Sequence, residues 1–321
     1  NVPETTNFLL QFLSLTAHFV EVCGTYLVLR GKMVNFEELS GFPDFATEAK
    51  LQECFNYVVN LVQKGGSIVE EGFTKTKEVK IKAFAADLVT EYDKRVEDLI
   101  IEGIREKYPN HKFIAEESAA KNPLTADPTW IIDPIDGTTN FVHSNPLIAI
   151  SVALAVDGKL LMAICLNPIH KELYTAIRGR GAFLNGTPIH CSIVTELKNA
   201  VISIEVSLAW ADRLRDEVIG RTHVLSGRVI GIRSLGSIVL ALCYVARGSL
   251  DAYQMEYLQP WDIAAGALLI QEAGGVVKNH RGGEYDIMKA QVLVAGTQEL
   301  YDQMLAVNRE CEGKVITFAK P

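Results

Sequence analysis

The stretch that decides the fold of this chain is Trp130-Ile-Ile-Asp133-Pro-Ile-Asp136-Gly-Thr-Thr139-Asn-Phe-Val-His143. Apolar residues run into Asp133 as they do in a buried strand, and Pro134 and Gly137 then break the chain into a turn. In α/β sheets, ligands bind in the crevice beyond the carboxyl ends of the strands. The segment therefore predicts a strand that ends in a ligand site.

Two carboxylates at one turn require a counter-charge. Mg²⁺ is the simplest candidate, because hard cations prefer carboxylate and backbone carbonyl oxygens. The backbone N–H groups after Asp136 are also placed to form a concave anion nest. Metal and nest together indicate a phosphate ester, but Asp-Pro and Asp-Gly are also ordinary turn dipeptides. On these residues alone, a purely structural turn stays open.

Composition limits the partners that the chain can have. The 321 residues are 48% hydrophobic, which is enough for a substantial core, and the formal net charge is −8. An acidic chain is not expected to bind nucleic acid as its main partner. Its six cysteines are scattered without metal-binding spacing, which favours a reducing compartment. We expect a cytoplasmic protein.

The first 45 residues differ from the rest of the chain. Residues 7–29 are rich in Phe, Leu and Val, but His18 and Glu21 interrupt them before they reach the roughly 20 apolar residues of a membrane span. No basic segment precedes them, so we do not expect a signal peptide, and we expect no membrane association of the catalytic domain. Residues 1–45 are interpreted as an extension, which leaves a docking helix, a targeting segment and a gene-prediction artefact open. Residues 46–321 are interpreted as one catalytic domain.

Helices and strands alternate along that domain. Apolar spacing predicts helices over 48–69, 91–108, 237–247, 263–273 and 299–307. Strand patterns fall at 113–115, 130–133, 147–156, 160–166, 172–177, 276–277 and 292–294. The fold class is therefore α/β, with sheets layered between helices.

Acidic residues recur at the boundaries of these elements. Asp87 and Asp93 flank the entry to the second helix, Glu116 and Glu117 end a strand, and Asp262 precedes the helix from residue 263. Each has an ordinary explanation as a turn residue, a solvated side chain or an N-cap. Together with Asp133 and Asp136 they predict a shared site for two or more metal ions, which can hold a phosphate and activate water. The sequence contains no GxSxG, P-loop or HExxH motif that would suggest another chemistry.

The same segments resemble the signatures of the inositol monophosphatase family, including its animal enzymes. Residues 130–143 resemble the first signature, and Trp261-Asp262-Ile-Ala-Ala-Gly266 with Glu272-Ala-Gly-Gly275 resembles the second. Residues 87–93, 113–118 and 231–236 also fit, in the expected order. The resemblance covers roughly residues 47 to 310.

The resemblance implies a layered αβαβα sandwich of the inositol monophosphatase and fructose-1,6-bisphosphatase type. It also implies a homodimer with two or three Mg²⁺ ions per site and inhibition by lithium. The implied reaction is hydrolysis of myo-inositol monophosphates to inositol and phosphate by metal-activated water, without a phosphoenzyme.

Residue roles carry over from the family motifs. The implied metal ligands are Glu116, Asp133, the Ile135 carbonyl, Asp136 and Asp262, with Asp133 bridging two ions. The implied catalytic residues are Thr138, which would orient the water, with Asp93 and Glu116. The implied substrate contacts are Asp136, Gly137, Thr138, Gly236, Ser237, Glu256 and Asp262.

The alcohol side departs from the family pattern. The animal enzymes carry a glutamate seven residues before the second-signature aspartate, and here that residue is Met255. Glu256 replaces it only if the backbone shifts by one residue. The expected serine is displaced too, since Ser207 comes one place early and Leu208 takes its position. Two alternatives stay open: a related Mg²⁺ phosphatase of another small sugar or nucleotide phosphate, and a non-catalytic relative.

Overall fold

Two β-sheets form the framework of the computed structural model, which describes residues 34–81, 88–210, 212–289 and 291–312. Its helices are α1 (Glu48–Phe73), α2 (Glu91–Lys107), α3 (Thr138–Val142), α4 (Asp212–Ser226), α5 (Ile238–Ala246), α6 (Pro260–Glu272) and α7 (Gln298–Cys311). Its strands are β1 (Val79–Ile81), β2 (Leu88–Thr90), β3 (Lys112–Ala115), β4 (Thr129–Asp136), β5 (Ala149–Val156), β6 (Lys159–Asn167), β7 (Glu172–Ile177), β8 (Ala182–Leu184), β9 (Thr187–Ile189), β10 (Val201–Ile204), β11 (Gly231–Arg233), β12 (Ala252–Met255), β13 (Val276–Asn279) and β14 (Val292–Ala295). The separate pair β1–β2 is antiparallel.

The larger sheet has seven strands in the order β3-β4-β5-β6-β7-β8-β9. Only β3 and β4 run parallel. Both faces are buried, and β5 shows how they differ. Ala153 and Ala155 belong to one hydrophobic cluster, whereas Val152 and Leu154 belong to another on the opposite face. Because side chains alternate along a strand, small residues face one helix layer and large residues the other.

Helices cover both faces of this sheet. The large side chains of β5 pack against α1 and α2. The small ones pack against α5 and α6, which are nearly all apolar. Gly266 of α6 lies so close to α5 that an added Cβ would meet the Leu242 side chain at 2.5 Å. The two inner helices therefore form one thin layer.

The second sheet lies on the far side of that layer. Its five strands run in the order β11-β10-β12-β14-β13, and β10 is parallel to both β11 and β12. Tyr253 and Val294 face the inner helices. Ala252 and Leu293 face the other way, in a third cluster with α7 and Leu225 of α4. The αβαβα sandwich predicted from the sequence is therefore confirmed.

The described part of the N-terminal segment packs onto this domain. Leu39 and Phe45 are buried in the cluster with α1 and α2, so the packed core includes residues before position 46. The apolar segment 7–29 and Asp87 lie outside the described residues. Of the helices in the described ranges, none is both long enough and apolar enough to cross a membrane.

Candidate active site

The end of β4 carries Asp133 and Asp136. β4 pairs with β5 up to Asp133 and again at Asp136, with a register shift between them. The Ile135 N–H donates to Asp133 Oδ1 at 3.1 Å, which fixes the kink. The irregular pairing turns both carboxylates into the same region, as bulges near active sites do.

Gly137 allows the chain to leave the strand. Its φ is +86°, and an added Cβ would lie 3.0 Å from the carbonyl oxygens of Gly236 and Leu147. Only glycine suits both the left-handed backbone and this close approach. The short helix α3 starts directly after it, so the turn predicted at this position is confirmed.

Asp136 is held by the N-terminus of α5. It accepts hydrogen bonds from the Ser237 hydroxyl, from Val239 N–H at 3.0 Å and from Ile238 N–H at 3.2 Å. A carboxylate is favoured there by the orphan N–H groups and the helix dipole. The contact brings Gly236 and Ser237, two predicted substrate residues, next to Asp136.

Asp262 is not an N-cap, as its position before an apolar run suggested. α6 begins at Pro260, two residues before Asp262, since proline is tolerated in the first turn of a helix. Asp262 is the third helical residue and its Oδ2 accepts from Gln259 N–H at 2.7 Å. This capping bond fixes the carboxylate at the start of the inner helix.

The three aspartates converge. Ligand oxygens of Asp133, Asp136 and Asp262 all lie within 4.8 Å of one another, so they form a group able to hold a metal ion. Burial raises the pKa of Asp133 well above its usual range, and the charges of Glu116, Asp136, Asp262 and Asp93 raise it further. Burial also raises the pKa of Asp262, and that of Asp136 to about 7 against its hydrogen bonds. Buried like charges of this kind require a cation or protons.

Glu116 lies beside this group without belonging to the closest triplet. Its N–H donates to Ile132 O at 3.2 Å, so the parallel β3–β4 pairing continues to it. Its charge raises the pKa of all three aspartates, which places its carboxylate in the same acidic region.

Asp93 and Thr138 face each other across the turn. The Thr138 Oγ1 lies 3.2 Å from Ile135 O and 3.5 Å from Asp93 Oδ1. The other oxygen of Asp93 accepts from the Thr90 N–H at 2.8 Å and from the Thr90 hydroxyl at 2.6 Å. Burial raises the pKa of Asp93 to about 7. The pair predicted to orient a nucleophile is thus brought together.

Glu256 has partners of its own. It is buried after β12, where its Oε1 accepts from the Arg221 guanidinium at 3.0 Å and lies 3.5 Å from His280 Nε2. Arg221 also bonds Glu217 at 2.7 Å. Glu256 as a substrate contact stays a prediction, and a substrate would have to compete with Arg221. Met255 is buried, with its sulfur 3.1 Å from the Tyr253 hydroxyl.

Two residues that position the site were not assigned by the sequence argument. The Asn140 amide donates to Leu147 O at 2.7 Å and Leu235 O at 2.9 Å, which ties α3 to the loop before Ser237. Glu205 accepts from Leu235 N–H at 2.8 Å and from Gly236 N–H at 3.2 Å. Asn140 lies within residues 130–143, but its partner Leu235 is 95 residues away, and the partners of Glu205 are 30 and 31 residues away.

A five-layer α/β sandwich with buried carboxylates at the strand ends is an enzyme architecture. The model of the inositol monophosphatase family matches residues 50–312. Inositol monophosphatase 2 from Homo sapiens is 44% identical over 253 residues, which are 78% of this chain and 88% of that protein. Inositol monophosphatase 1 from Homo sapiens is 38% identical over 257 residues, 79% of this chain and 93% of that protein.

Solved structures agree with these relatives. The IMPase of Thermotoga maritima superposes with a TM-score of 0.73 at 30% identity, covering 80% of this chain and 97% of that one. The chain therefore belongs to the inositol monophosphatase family. The resemblance drawn from its signatures is confirmed, and the protein is by family a phosphoric monoester hydrolase.

Proposed function

We propose that the protein is a Mg²⁺-dependent phosphomonoesterase that hydrolyses myo-inositol monophosphates to inositol and phosphate. The observation that carries this proposal is the convergence of Asp133, Asp136 and Asp262 at the end of β4 and the starts of α5 and α6. Family membership supplies the substrate class, since the relatives are named for that reaction.

The donor set fits magnesium. All three convergent ligands are carboxylates, and the Ile135 carbonyl and Glu116 add further oxygens nearby. Mg²⁺ prefers such ligands, whereas thiolates and imidazoles would indicate softer metals. The raised pKa values of the aspartates fit the same conclusion, because a bound divalent cation would relieve their mutual repulsion. We propose two or three ions, with Asp133 as the bridging ligand.

Residues of the chain would orient the water, bind the phosphate and contact the alcohol. Bound Mg²⁺ would supply positive charge for the phosphate and lower the pKa of water. Thr138 would orient the attacking water through its hydroxyl, with Asp93 as its acceptor. The backbone of Gly137 and Thr138 would hold the phosphate. Gly236 and Ser237 would border the alcohol.

Phosphate release tests this proposal. The substrates are inositol 1-phosphate, 2′-AMP and a bisphosphate nucleotide, each with Mg²⁺ and with or without Li⁺. We expect release from inositol 1-phosphate, dependent on Mg²⁺ and reduced by Li⁺. No release from any substrate would refute the enzymatic proposal, and preference for a nucleotide would refute the inositol one. We also propose a cytoplasmic homodimer, which mass measurement in solution and cell fractionation would check.

A further inference from the structure

Helix α2 presents a second buried acid to the active-site side of the domain. Glu97 is 1% exposed and follows Asp93 by four residues, so both lie on the same face of the helix. Like charges at this spacing destabilise a helix, and burial adds a desolvation cost. Burial raises the pKa of Glu97, as it does that of Asp93. Such a pair requires specific partners to persist in a folded protein.

The partners of Glu97 lie in the turn that follows β3. Its Oε2 accepts from the Glu117 N–H at 2.8 Å. Hydrogen bonding from the side chain and the backbone of Ser118 lowers the pKa of Glu97, against the larger effect of burial. Glu97 therefore binds the two residues that come directly after Glu116.

Backbone bonds fix the other side of this turn. The Glu116 N–H donates to Ile132 O at 3.2 Å, and the Ala119 N–H donates to Ala115 O at 3.0 Å. β3 thus determines where the turn begins, and the last bond determines how it closes. Between these two bonds, the Glu117 N–H donates to the Glu97 carboxylate.

We propose that Glu97 is a positioning residue that fixes the Glu116 turn for metal binding. The inference rests on the proposed function, in which Glu116 is a metal ligand. Glu97 acts through the backbone of Glu117 and Ser118 and does not itself touch metal or substrate. One face of α2 then serves both halves of the site: Asp93 holds Thr138, and Glu97 holds the turn of Glu116.

The test is a Mg²⁺ titration of four variants: Glu97→Ala, Glu97→Gln, Glu116→Gln and Val96→Ala. Calorimetry gives the Mg²⁺ dissociation constant of the metal-free protein, and phosphate release gives the half-saturating Mg²⁺ concentration. We expect Glu97→Ala to weaken Mg²⁺ by about tenfold or more, as losses of residues that orient ligands do. The KM for inositol 1-phosphate at saturating Mg²⁺ should stay within about twofold, because the substrate contacts are untouched.

The other variants separate positioning from general loosening. Glu97→Gln keeps one acceptor oxygen and should bind Mg²⁺ more tightly than Glu97→Ala; it also replaces Glu97→Ala if that variant does not fold. Val96→Ala removes a buried neighbour in α2 and should lower stability with Mg²⁺ affinity unchanged.

Two results would overturn the inference alone: an unchanged Mg²⁺ constant in Glu97→Ala while Glu116→Gln weakens it, or equal weakening in Val96→Ala and Glu97→Ala. An unchanged constant in Glu116→Gln would remove the ligand role itself, and with it the basis of the inference. If the wild type shows no phosphatase activity, the proposed function fails. That result is distinct from the test of Glu97, since Mg²⁺ binding is measured without turnover.

Discussion

Two groups of buried carboxylates differ in what balances their charge. At the end of β4, burial raises the pKa of Asp133, and the negative charges of neighbouring acids raise it further. After β12, Glu256 is also buried but bonds Arg221, which also bonds Glu217. In the second group the protein itself supplies a counter-charge, Arg221, whereas the first group requires a cation or protons. Burial of an acid alone therefore does not mark a reactive centre; the imbalance of charge does.

The largest expected effect breaks the first group. Asp133→Asn removes the proposed bridging charge and keeps the shape, so we expect kcat for inositol 1-phosphate to fall at least about 1000-fold. That loss corresponds to about 4 kcal/mol of transition-state stabilisation. Circular dichroism should show the fold intact. Asp127→Asn, in the exposed turn before β4, is the matched control and should keep full activity. Substantial residual turnover in Asp133→Asn would contradict the bridging role.

Breaking the second group should cost stability. Arg221→Ala leaves Glu256 buried without its guanidinium, and loss of one partner of a buried pair costs about 3 kcal/mol or more. Denaturant unfolding measures the change. Arg228→Ala breaks an ion pair with Glu310 in which each side chain is about 40% exposed. It should lower the free energy of unfolding by less than about 1 kcal/mol. Equal small losses in both variants would show that the Arg221 pair is not the balanced charge group described above.

A lower pH should stabilise the metal-free protein through Asp136 and should weaken the stabilisation that Mg²⁺ gives. Because the pKa of Asp136 is raised to about 7, its contribution to metal-free stability is present at acid pH and is lost as pH rises through about 7. Mg²⁺ competes with those protons, so its stabilising effect should grow with pH.

Thermal unfolding at pH 6 and pH 8 checks this. A free Mg²⁺ concentration of about 100 times the dissociation constant adds about 2.7 kcal/mol to the free energy of unfolding. The rise in Tm on adding Mg²⁺ should be larger at pH 8. An equal or smaller rise at pH 8 would mean that protons and Mg²⁺ do not share the site.

The smallest effect concerns the alcohol side. Met255→Glu would place a hydroxyl acceptor next to Tyr253, whose O–H can satisfy it. If position 255 faces the substrate, the KM for inositol 1-phosphate should fall by a few-fold. This change corresponds to less than about 1 kcal/mol of binding free energy. Met255→Gln is the neutral control. An unchanged KM would favour Glu256 as the substrate residue despite its bond to Arg221.

The sequence predicted the first group far better than the second. The run into Asp133, the turn at Gly137 and the layered fold follow from local patterns of polarity and turn residues. The start of the helix that carries Asp262 was predicted three residues too late, because Pro260 was not recognised as the first helical position. The pairing of Arg221 with Glu256 joins two elements 35 residues apart, and a single sequence carries no signal for it. The same holds for Glu97, whose partner Glu117 is 20 residues away.

Equilibrium Mg²⁺ binding to metal-free protein tests the central contrast most directly. Calorimetry on the wild type, Asp133→Asn and Glu256→Gln compares one carboxylate from each group. We expect Asp133→Asn to lose Mg²⁺ binding and Glu256→Gln to bind Mg²⁺ as the wild type does. Wild-type affinity in Asp133→Asn, or an equal loss in Glu256→Gln, would contradict it.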